Sequence, residues 1–248
     1  FDKDHLAATV FAGDENAPRD EEGAQCRINS GFKPENIYYL PAEDNWWGLE
    51  FGPCGPDSEM FYFRSDDEIP ETFDPEDDRW VEIWNDVFMQ YYKDENGNIT
   101  ELPKKNVDTG MGLERVVTVL EGLTDNYMSS VWKDIIEEIE NISNKKYEDN
   151  SESMRIIADH IRTSVFISAD NSGIKPSNVG QGYILRRLIR RAIRHAKKLE
   201  IDVNGDWDIR IANKIMDKYE KYYDELSKNR NTVIEVLTNE KVKFNRTL

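Results

Sequence analysis

Apolar and polar positions follow two different patterns along this chain of 248 residues. As far as about Tyr127, short aromatic and β-branched runs alternate with clusters of Gly, Pro and Asp, as is typical of β-strands joined by turns. Beyond Tyr127, apolar residues recur with a helical period. We therefore predict an α+β fold, in which an antiparallel sheet with flanking helices is followed by an α-helical domain.

Individual elements can be placed within these two halves. The predicted strands are residues 6–12, 36–40 and 59–63, and residues 80–92 are predicted to form a central strand because both of their faces are apolar. Glu95-Asn96-Gly97-Asn98, followed by the run 99–102, indicates a hairpin. The acidic runs 14–22 and 66–78 are interpreted as solvated loops. The predicted helices are residues 127–142, 153–169, 182–199, 208–226 and 233–248.

A glycine-containing motif, VDTGMGLER at residues 107–115, predicts a strand that runs directly into a helix. Gly110 and Gly112 remove Cβ atoms from one strand face, so a flat ligand such as a nucleotide base or an aminoacyl-adenylate could lie there. Arg115 falls in the first helical turn, where backbone amides favour anions. The motif indicates a nucleotide-phosphate site, and a glycine turn before a packed helix explains it equally well.

The helix predicted from residue 182 separates its charges from its apolar residues. Seven cations fall within about 140° of a helical wheel: Arg186, Arg187, Arg190, Arg191, Arg194, Lys197 and Lys198. The opposite side carries Leu185, Leu188, Ile189, Ala192, Ile193, Ala196 and Leu199. Because like charges on one face repel unless a polyanion neutralises them, we favour binding to a nucleic-acid backbone. A solvated face and a membrane-surface helix are the alternatives, and the second lacks aromatic anchors.

The composition and charge of the chain limit the classes of protein to which it can belong. The formal charge is -17, which argues against nucleic-acid binding only if the charge is spread evenly, and residues 175–198 contain eight Lys or Arg and no acid. No apolar run reaches membrane-spanning length and no signal-like segment begins the chain, so we expect a cytoplasmic protein without a membrane partner. Cys26 and Cys54 form neither a disulfide framework nor a zinc spacing, and zinc is not expected.

Four blocks resemble, in the same order, the alanyl-tRNA synthetases, a family of class II enzymes. They are EIWNDVFMQ at residues 82–90 with LPKK at 102–105 and the glycine motif, ADHIR at 158–162, PSN at 176–178, and GYILRRLIRR at 182–191. The resemblance implies that residues 1–126 are the C-terminal half of the aminoacylation domain with its third motif. It implies that residues 127–248 are part of a helical domain that recognises the tRNA acceptor stem.

The resemblance also implies an activity and an amino-acid pocket. The intact protein would activate alanine with ATP and Mg²⁺ and transfer it to tRNA(Ala), with Asp108 and Arg115 as the catalytic residues. Asp108 would hold the ammonium of alanine, Asn85 its carboxylate, and Trp47 and Val87 would limit the side chain. Gly110 and Gly112 would line the adenylate, Arg115 would contact the ATP phosphates, and Glu59 would be a magnesium contact. Without the resemblance, Trp47 and Val87 are interpreted as core residues.

In the second half, the family positions for recognition of a G·U wobble pair match Asn178 and Arg190. Arg187, Arg191 and Arg194 would contact the RNA backbone. From the residues alone, Asn178 is interpreted as a turn or helix-cap residue, and Arg190 as an ordinary phosphate contact.

The first two class II motifs and the editing domain are expected outside this chain, which would be an internal fragment without ligase activity of its own. Alanine-dependent pyrophosphate exchange measures that activity. Two other functions stay open: a stand-alone module that binds a tRNA acceptor stem without catalysis, and a nonspecific helical scaffold.

Overall fold

The structure, a computed structural model, describes residues 1–247 and contains two compact units that divide between Ser129 and Ser130. Leu248, the last residue of the final predicted helix, lies outside the described residues. Every strand of the described chain belongs to the first unit, and the second unit consists of helices and loops. None of the helices in residues 1–247 is long and apolar enough to cross a membrane.

The first unit is built on one six-stranded sheet. Its strands are β1 Leu6–Phe11, β2 Ile37–Leu40, β3 Trp46–Gly48, β4 Gly52–Phe63, β5 Trp80–Lys93 and β6 Ile99–Met111. The order is β2-β1-β4-β5-β6 with β3 paired to β4, and within the described sheet only β1 and β2 run parallel. Helices α1 Glu21–Asn29, α2 Ala42–Asn45 and α3 Leu113–Leu120 belong to the same unit. This arrangement confirms the predicted α+β fold and the interior position of β5.

Two strands are longer than predicted. β4 begins at Gly52 rather than at residue 59, although its first residues contain the glycines and prolines typical of turns. A Cβ atom at Gly55 would lie 1.9 Å from the carbonyl oxygen of Phe88, so glycine allows β4 to approach β5 closely. β6 continues past Pro103 to Met111, and its register with β5 shifts in this region because proline has no N–H to donate.

A helix occupies part of the first acidic run, so the prediction of a loop over residues 14–22 is wrong at its end. Asp20 is the N-cap of α1: its Oδ1 accepts a hydrogen bond from the backbone N–H of Gly23 at 2.8 Å. Asp20 is only 8% exposed, so it is not a solvated loop residue. The second run, residues 66–78, contains no helix or strand, as predicted, although Phe73 within it is buried.

Two apolar clusters form the core of the first unit. Phe61, Phe63, Phe73 and Trp80 make up most of one cluster, and the rings of Phe63 and Trp80 lie 5.1 Å apart between centroids. The other cluster packs α3 against the sheet through Ile83 of β5 and the valines at positions 116 and 119 of α3. This packing fixes the start of α3 beside β5.

The helices of the second unit are α4 Lys133–Ser143, α5 Tyr147–Ala169, α6 Gly180–Lys198, α7 Trp207–Tyr219, α8 Asp224–Lys228 and α9 Arg230–Asn245. The helix predicted over residues 127–142 is wrong in its first turns, where Asn126–Met128 forms a short 3-10 helix capped by Asp125. The helix predicted over residues 208–226 is two helices, because the chain turns between Tyr219 and Tyr223. α5 begins earlier than predicted and has a kink at Asn150.

The apolar face predicted for α6 is confirmed: Leu185, Ile189, Ala192, Ile193, Ala196 and Leu199 are buried, and Leu188 is half-buried. Two ion pairs, one part-buried and one buried, attach α9 to its neighbours. Oε1 of Glu240 lies 2.5 Å from Nε of Arg190 on α6, and Nζ of Lys241 lies 2.5 Å from Oδ1 of Asp208 on α7. Adjacent residues of α9 are thus paired with two different helices.

Candidate functional site

The predicted pocket residues of β5 and β6 meet on one face of the sheet. Val87 lies opposite Asp108 and Asn85 lies opposite Gly110 in the antiparallel register. Residues directly opposite each other in antiparallel strands project to the same face, so these four positions are neighbours. A Cβ atom at Gly110 would have no heavy atom within 4 Å, so the surface above this glycine is open.

β4 adds two carboxylates to this face, since Asp57 lies opposite Val87 and Glu59 lies opposite Asn85. Nδ2 of Asn85 donates to Oδ2 of Asp57 at 3.0 Å, and the buried Oδ1 of Asn85 has no partner within residues 1–247. An amide nitrogen carries two hydrogens. The Asn85 amide nitrogen therefore keeps a second N–H beyond this bond, while its Oδ1 is buried without a partner among the described residues.

Asp57 contacts Asn85 and is itself contacted by Asn45. Neither Asp57 nor Asn45 was predicted as a site residue. Asp57 is 4% exposed, and Nδ2 of Asn45 donates to its Oδ1 at 3.3 Å. Burial raises the pKa of the Asp57 carboxyl, and the hydrogen bonds from Asn85 and Asn45 lower it. Asp57 follows glycines and prolines of a kind typical of turns, which concealed its burial, and that burial depends on β4 beginning at Gly52.

The pocket residues differ in exposure. Asp108 is exposed, and the hydrogen bond recorded for its carboxylate comes from the adjacent backbone N–H of Thr109 at 3.1 Å. Val87 is buried at 7% exposure, which agrees with its interpretation as a core residue. Trp47 is 36% exposed. It lies on β3 opposite Gly55 of β4, and so it is not one of the paired positions of β4, β5 and β6 that form the rest of the pocket.

Arg115 lies in the first turn of α3, as predicted, and Gly112 is the N-cap of that helix. Nη1 of Arg115 lies 2.8 Å from Oε2 of Glu82 and 3.0 Å from the Glu82 carbonyl oxygen. The Arg115 side chain is 46% exposed. A phosphate bound here would therefore share this guanidinium with Glu82.

Glu59 titrates near neutrality. Burial, together with the negative charges of Glu82 and Asp57, raises the pKa of its carboxyl to about 7, although the positive charge of Arg115 acts in the opposite direction. Within residues 1–247, no group of three or more His, Cys, Asp or Glu side chains is arranged to hold a metal ion. The magnesium contact of Glu59 thus has no supporting ligand set here and stays a prediction.

The raised pKa of Glu59 has a consequence for stability. A Glu carboxyl titrates near 4.5 in the unfolded chain and near 7 in the folded chain, so its contribution to stability is present below 4.5 and is lost as the pH rises through 7. Gln cannot ionise and keeps that contribution. We expect the thermal midpoint of Glu59→Gln, relative to the unsubstituted chain, to be higher at about pH 8 than at about pH 5.

The exposed Glu95 in the β5–β6 turn provides the control. Glu95→Gln should show the same difference from the unsubstituted chain at both pH values. A Glu59→Gln difference that does not change with pH would contradict the raised pKa.

A buried network closes the opposite face of the same strands. Nε of Arg27 on α1 donates to Oγ of Ser58 at 2.8 Å, and Nη2 donates to the Ser58 carbonyl oxygen at 2.9 Å and to Oδ2 of Asp86 at 2.8 Å. The hydroxyl of Thr109 donates to Oδ1 of Asp86 at 2.7 Å. The Arg27 side chain thus connects α1 to β4 and β5, and Asp86 extends this network to β6, directly behind the pocket residues.

The second unit carries a basic groove on α6, with a volume of about 400 Å³. It is lined by Arg186, Arg187, Arg190, Arg191 and Arg194, together with His160, Tyr183, Ile184 and Leu188. Arg187, Arg191 and Arg194 are exposed. The structure therefore brings the predicted backbone contacts together on one surface.

Arg190 differs from the other arginines of the groove, because it forms the ion pair with the buried Glu240 and its guanidinium lies 5.0 Å from the ring centroid of Phe244. Arg190 is therefore already paired with an acid of its own chain, and its contact with RNA stays a prediction. Asn178 is exposed, and its Oδ1 accepts a hydrogen bond from Nη1 of Arg186. Of the alternatives drawn from the residues alone, a helix cap at Asn178 is wrong because Val179 is the N-cap of α6, whereas Asn178 does lie in a bend just before that helix.

His160 reaches the groove from α5 and was not predicted as a site residue. Its Nδ1 lies 2.9 Å from Oδ2 of Asp159. The hydrogen bond with His160 lowers the pKa of the Asp159 carboxyl, and Arg162 and Arg191 lower it further. The sequence places His160 in the ADHIR block, and only the packing of α5 against α6 brings it to the groove.

Comparison with known proteins identifies the family. The family model described as tRNA synthetases class II (A) matches residues 1–248. The chain belongs to this class II tRNA synthetase family. It is 46% identical over 253 residues to the alanine–tRNA ligase of Borrelia hermsii, covering 99% of this chain and 42% of that protein. The alanine–tRNA ligase of Treponema denticola is 46% identical over 238 residues, covering 93% of this chain and 39% of that protein.

The alanine–tRNA ligase of Anaeromyxobacter dehalogenans is 41% identical over 260 residues, covering 99% of this chain and 28% of that protein. The predicted resemblance to alanyl-tRNA synthetases is confirmed. The chain spans about two fifths of the length of the first two relatives.

Proposed function

We propose that this chain is part of an alanine–tRNA ligase, which activates alanine with ATP and Mg²⁺ and transfers the alanyl group to tRNA. The observation that most supports this proposal is that four positions lie together on one open face of the sheet: Asn85, Val87, Asp108 and Gly110. In the first step the alanine carboxylate attacks the α-phosphate and pyrophosphate leaves. We also propose a cytoplasmic location, since tRNA is the substrate.

The site would act by positioning and by neutralising charge. The exposed carboxylate of Asp108 binds the ammonium of alanine, and the remaining N–H of Asn85 binds its carboxylate. Val87 and Trp47 restrict the side chain, and Gly110 and Gly112 leave room for the adenylate. Arg115 contributes positive charge to the ATP phosphates. Asp57 and Asn45 are positioning residues, because they hold the amide of Asn85.

The basic face of α6 would bind the tRNA acceptor stem. Arg187, Arg191 and Arg194 contact the RNA backbone, and Asn178 with Arg190 contacts the wobble pair. We assign residues 1–126 to the aminoacylation domain and residues 127–248 to the domain that recognises tRNA. Backbone contacts give affinity and base contacts give selectivity.

The test is binding of the stable sulfamoyl analogue of alanyl-adenylate, measured by calorimetry. Asp108→Asn is expected to weaken binding by about 10- to 100-fold, because a hydrogen bond between charged groups becomes one with a neutral amide. Glu101→Gln, at an exposed position of the same strand, is the matched control and should bind the analogue as the unsubstituted chain does.

Equal affinity of Asp108→Asn and the unsubstituted chain would remove Asp108 from the ammonium site. Absence of analogue binding, together with intact binding of an acceptor-stem minihelix, would favour the module that binds tRNA without catalysis. Tighter binding of an analogue with a bulkier amino acid would contradict alanine as the substrate.

A further inference from the structure

An apolar surface lies at the amino end of the basic groove. We call Val179, Tyr183 and Ile184 the apolar ledge; these residues are 77%, 38% and 50% exposed. The backbone N–H of Tyr183 donates to the carbonyl oxygen of Val179, so these two residues are one helical turn apart and adjacent on the helix surface. Adjacent exposed apolar residues rimmed by polar groups are typical of a contact surface.

Tyr183 is the polar member of the ledge. The guanidinium carbons of Arg186 and Arg187 lie 5.4 and 5.7 Å from its ring centroid. Its hydroxyl has no hydrogen-bond partner in the part of the chain that the structure describes. The side chain therefore offers an apolar ring and a hydroxyl donor and acceptor close to two positive charges.

The minor groove of an A-form RNA duplex matches this surface. It is wide and shallow, it displays ribose 2′-hydroxyls, and phosphates border it on both sides. The minor groove of B-DNA is narrower, at about 6 Å, and DNA has no 2′-hydroxyl. The cations of residues 175–198, with no acid among them, supply the complementary charge.

We propose that the apolar ledge enters the minor groove of an RNA duplex, where the Tyr183 hydroxyl forms a hydrogen bond with a ribose 2′-hydroxyl. Tyr183 thereby contributes to the preference of this surface for RNA over DNA. The inference rests on the proposed binding of an acceptor stem and names the group by which the duplex is recognised as RNA.

The test compares two forms of an acceptor-stem minihelix in fluorescence anisotropy, one with 2′-hydroxyls and one with 2′-fluoro groups, which keep the A-form sugar pucker. Tyr183→Phe removes the hydroxyl alone. It is expected to lower affinity for the 2′-hydroxyl form by about 2- to 12-fold, the range for one net hydrogen bond, and to leave affinity for the 2′-fluoro form unchanged. Tyr222→Phe, at a tyrosine that is 71% exposed, is the matched control and should change neither affinity.

The possible outcomes separate this inference from the proposed function. Salt-dependent binding in which Tyr183→Phe changes both affinities alike, or neither, overturns the role of Tyr183 and leaves RNA binding standing. Loss of affinity only in Tyr183→Leu, together with a preference for unpaired nucleotides, would show base stacking instead of a minor-groove contact and would also overturn the proposal. Absence of RNA binding by the unsubstituted chain would overturn both.

Discussion

Replacing Arg187, Arg191 and Arg194 together with alanine is expected to weaken binding of an acceptor-stem minihelix by about 100-fold or more at low salt. The three guanidinium groups are exposed on one groove, and each contact between a charged donor and a phosphate contributes about 1.5–3 kcal/mol before screening. The slope of log affinity against log salt concentration should fall by about 2 to 3, because three fewer cations replace counterions on the RNA. Anisotropy titrations at several salt concentrations give both quantities.

The matched control replaces Lys214, Lys221 and Lys228, which are exposed on α7, on α8 or between them. It removes the same amount of positive charge from a surface outside the groove. We expect a change in affinity of less than about 3-fold, since charges beyond a Debye length of about 10 Å are largely screened. A loss as large as that of the arginine variant would show that net charge, and not the α6 groove, governs binding.

The second large effect is expected at Arg27. Arg27→Met should destabilise the first unit by about 3–5 kcal/mol, because it leaves Asp86 and the Ser58 carbonyl oxygen without their charged donor in a partly dry environment. The Arg27 side chain is 11% exposed and that of Asp86 is 23% exposed. Urea denaturation followed by hydrogen exchange of β4 and β5 amides measures the effect in this unit.

Two further variants test whether loss of the partly buried ion pair causes the destabilisation of Arg27→Met. Arg19→Met breaks a surface ion pair with Glu21, whose side chains are 53% and 69% exposed, and should cost less than about 1 kcal/mol. Adding Asp86→Ala to Arg27→Met should recover part of the loss, since it removes the unpaired charge. Equal losses in Arg19→Met and Arg27→Met would contradict the buried network.

Long periodic segments could be predicted from the sequence, because burial of one face requires a regular spacing of apolar residues. The segregated charges of α6 and the apolar content of β5 are examples. The early start of β4 could not be predicted, because its glycines and prolines serve a close strand approach at Gly55 and not a turn. The start of α1 was hidden in the same way, since an acidic residue at Asp20 caps a helix and also resembles a solvated loop.

The pocket was only partly predictable, for a reason that lies in the strand register. The β5–β6 hairpin begins with Lys93 opposite Ile99, and an unbroken ladder from that turn would place Val87 opposite Lys105. The irregularity between Met89 and Tyr91 moves the pairing by three residues, so Val87 lies opposite Asp108. Residue types and the resemblance pointed to Asp108, but its neighbours depend on the size of this shift, and Pro103 indicates only that the ladder is interrupted, not by how many residues it moves.

The two ion pairs of α9 restrict which substitutions the second unit can accept. A rotation of α9 about its axis by one residue, about 100°, would leave Glu240 and Lys241 without Arg190 and Asp208 in an apolar interior. The two pairs thus select one orientation of this helix among several that its aliphatic residues alone would allow. Apolar replacements at all four positions are expected to keep the unit folded while admitting more than one helix orientation, so the four residues should change together or not at all.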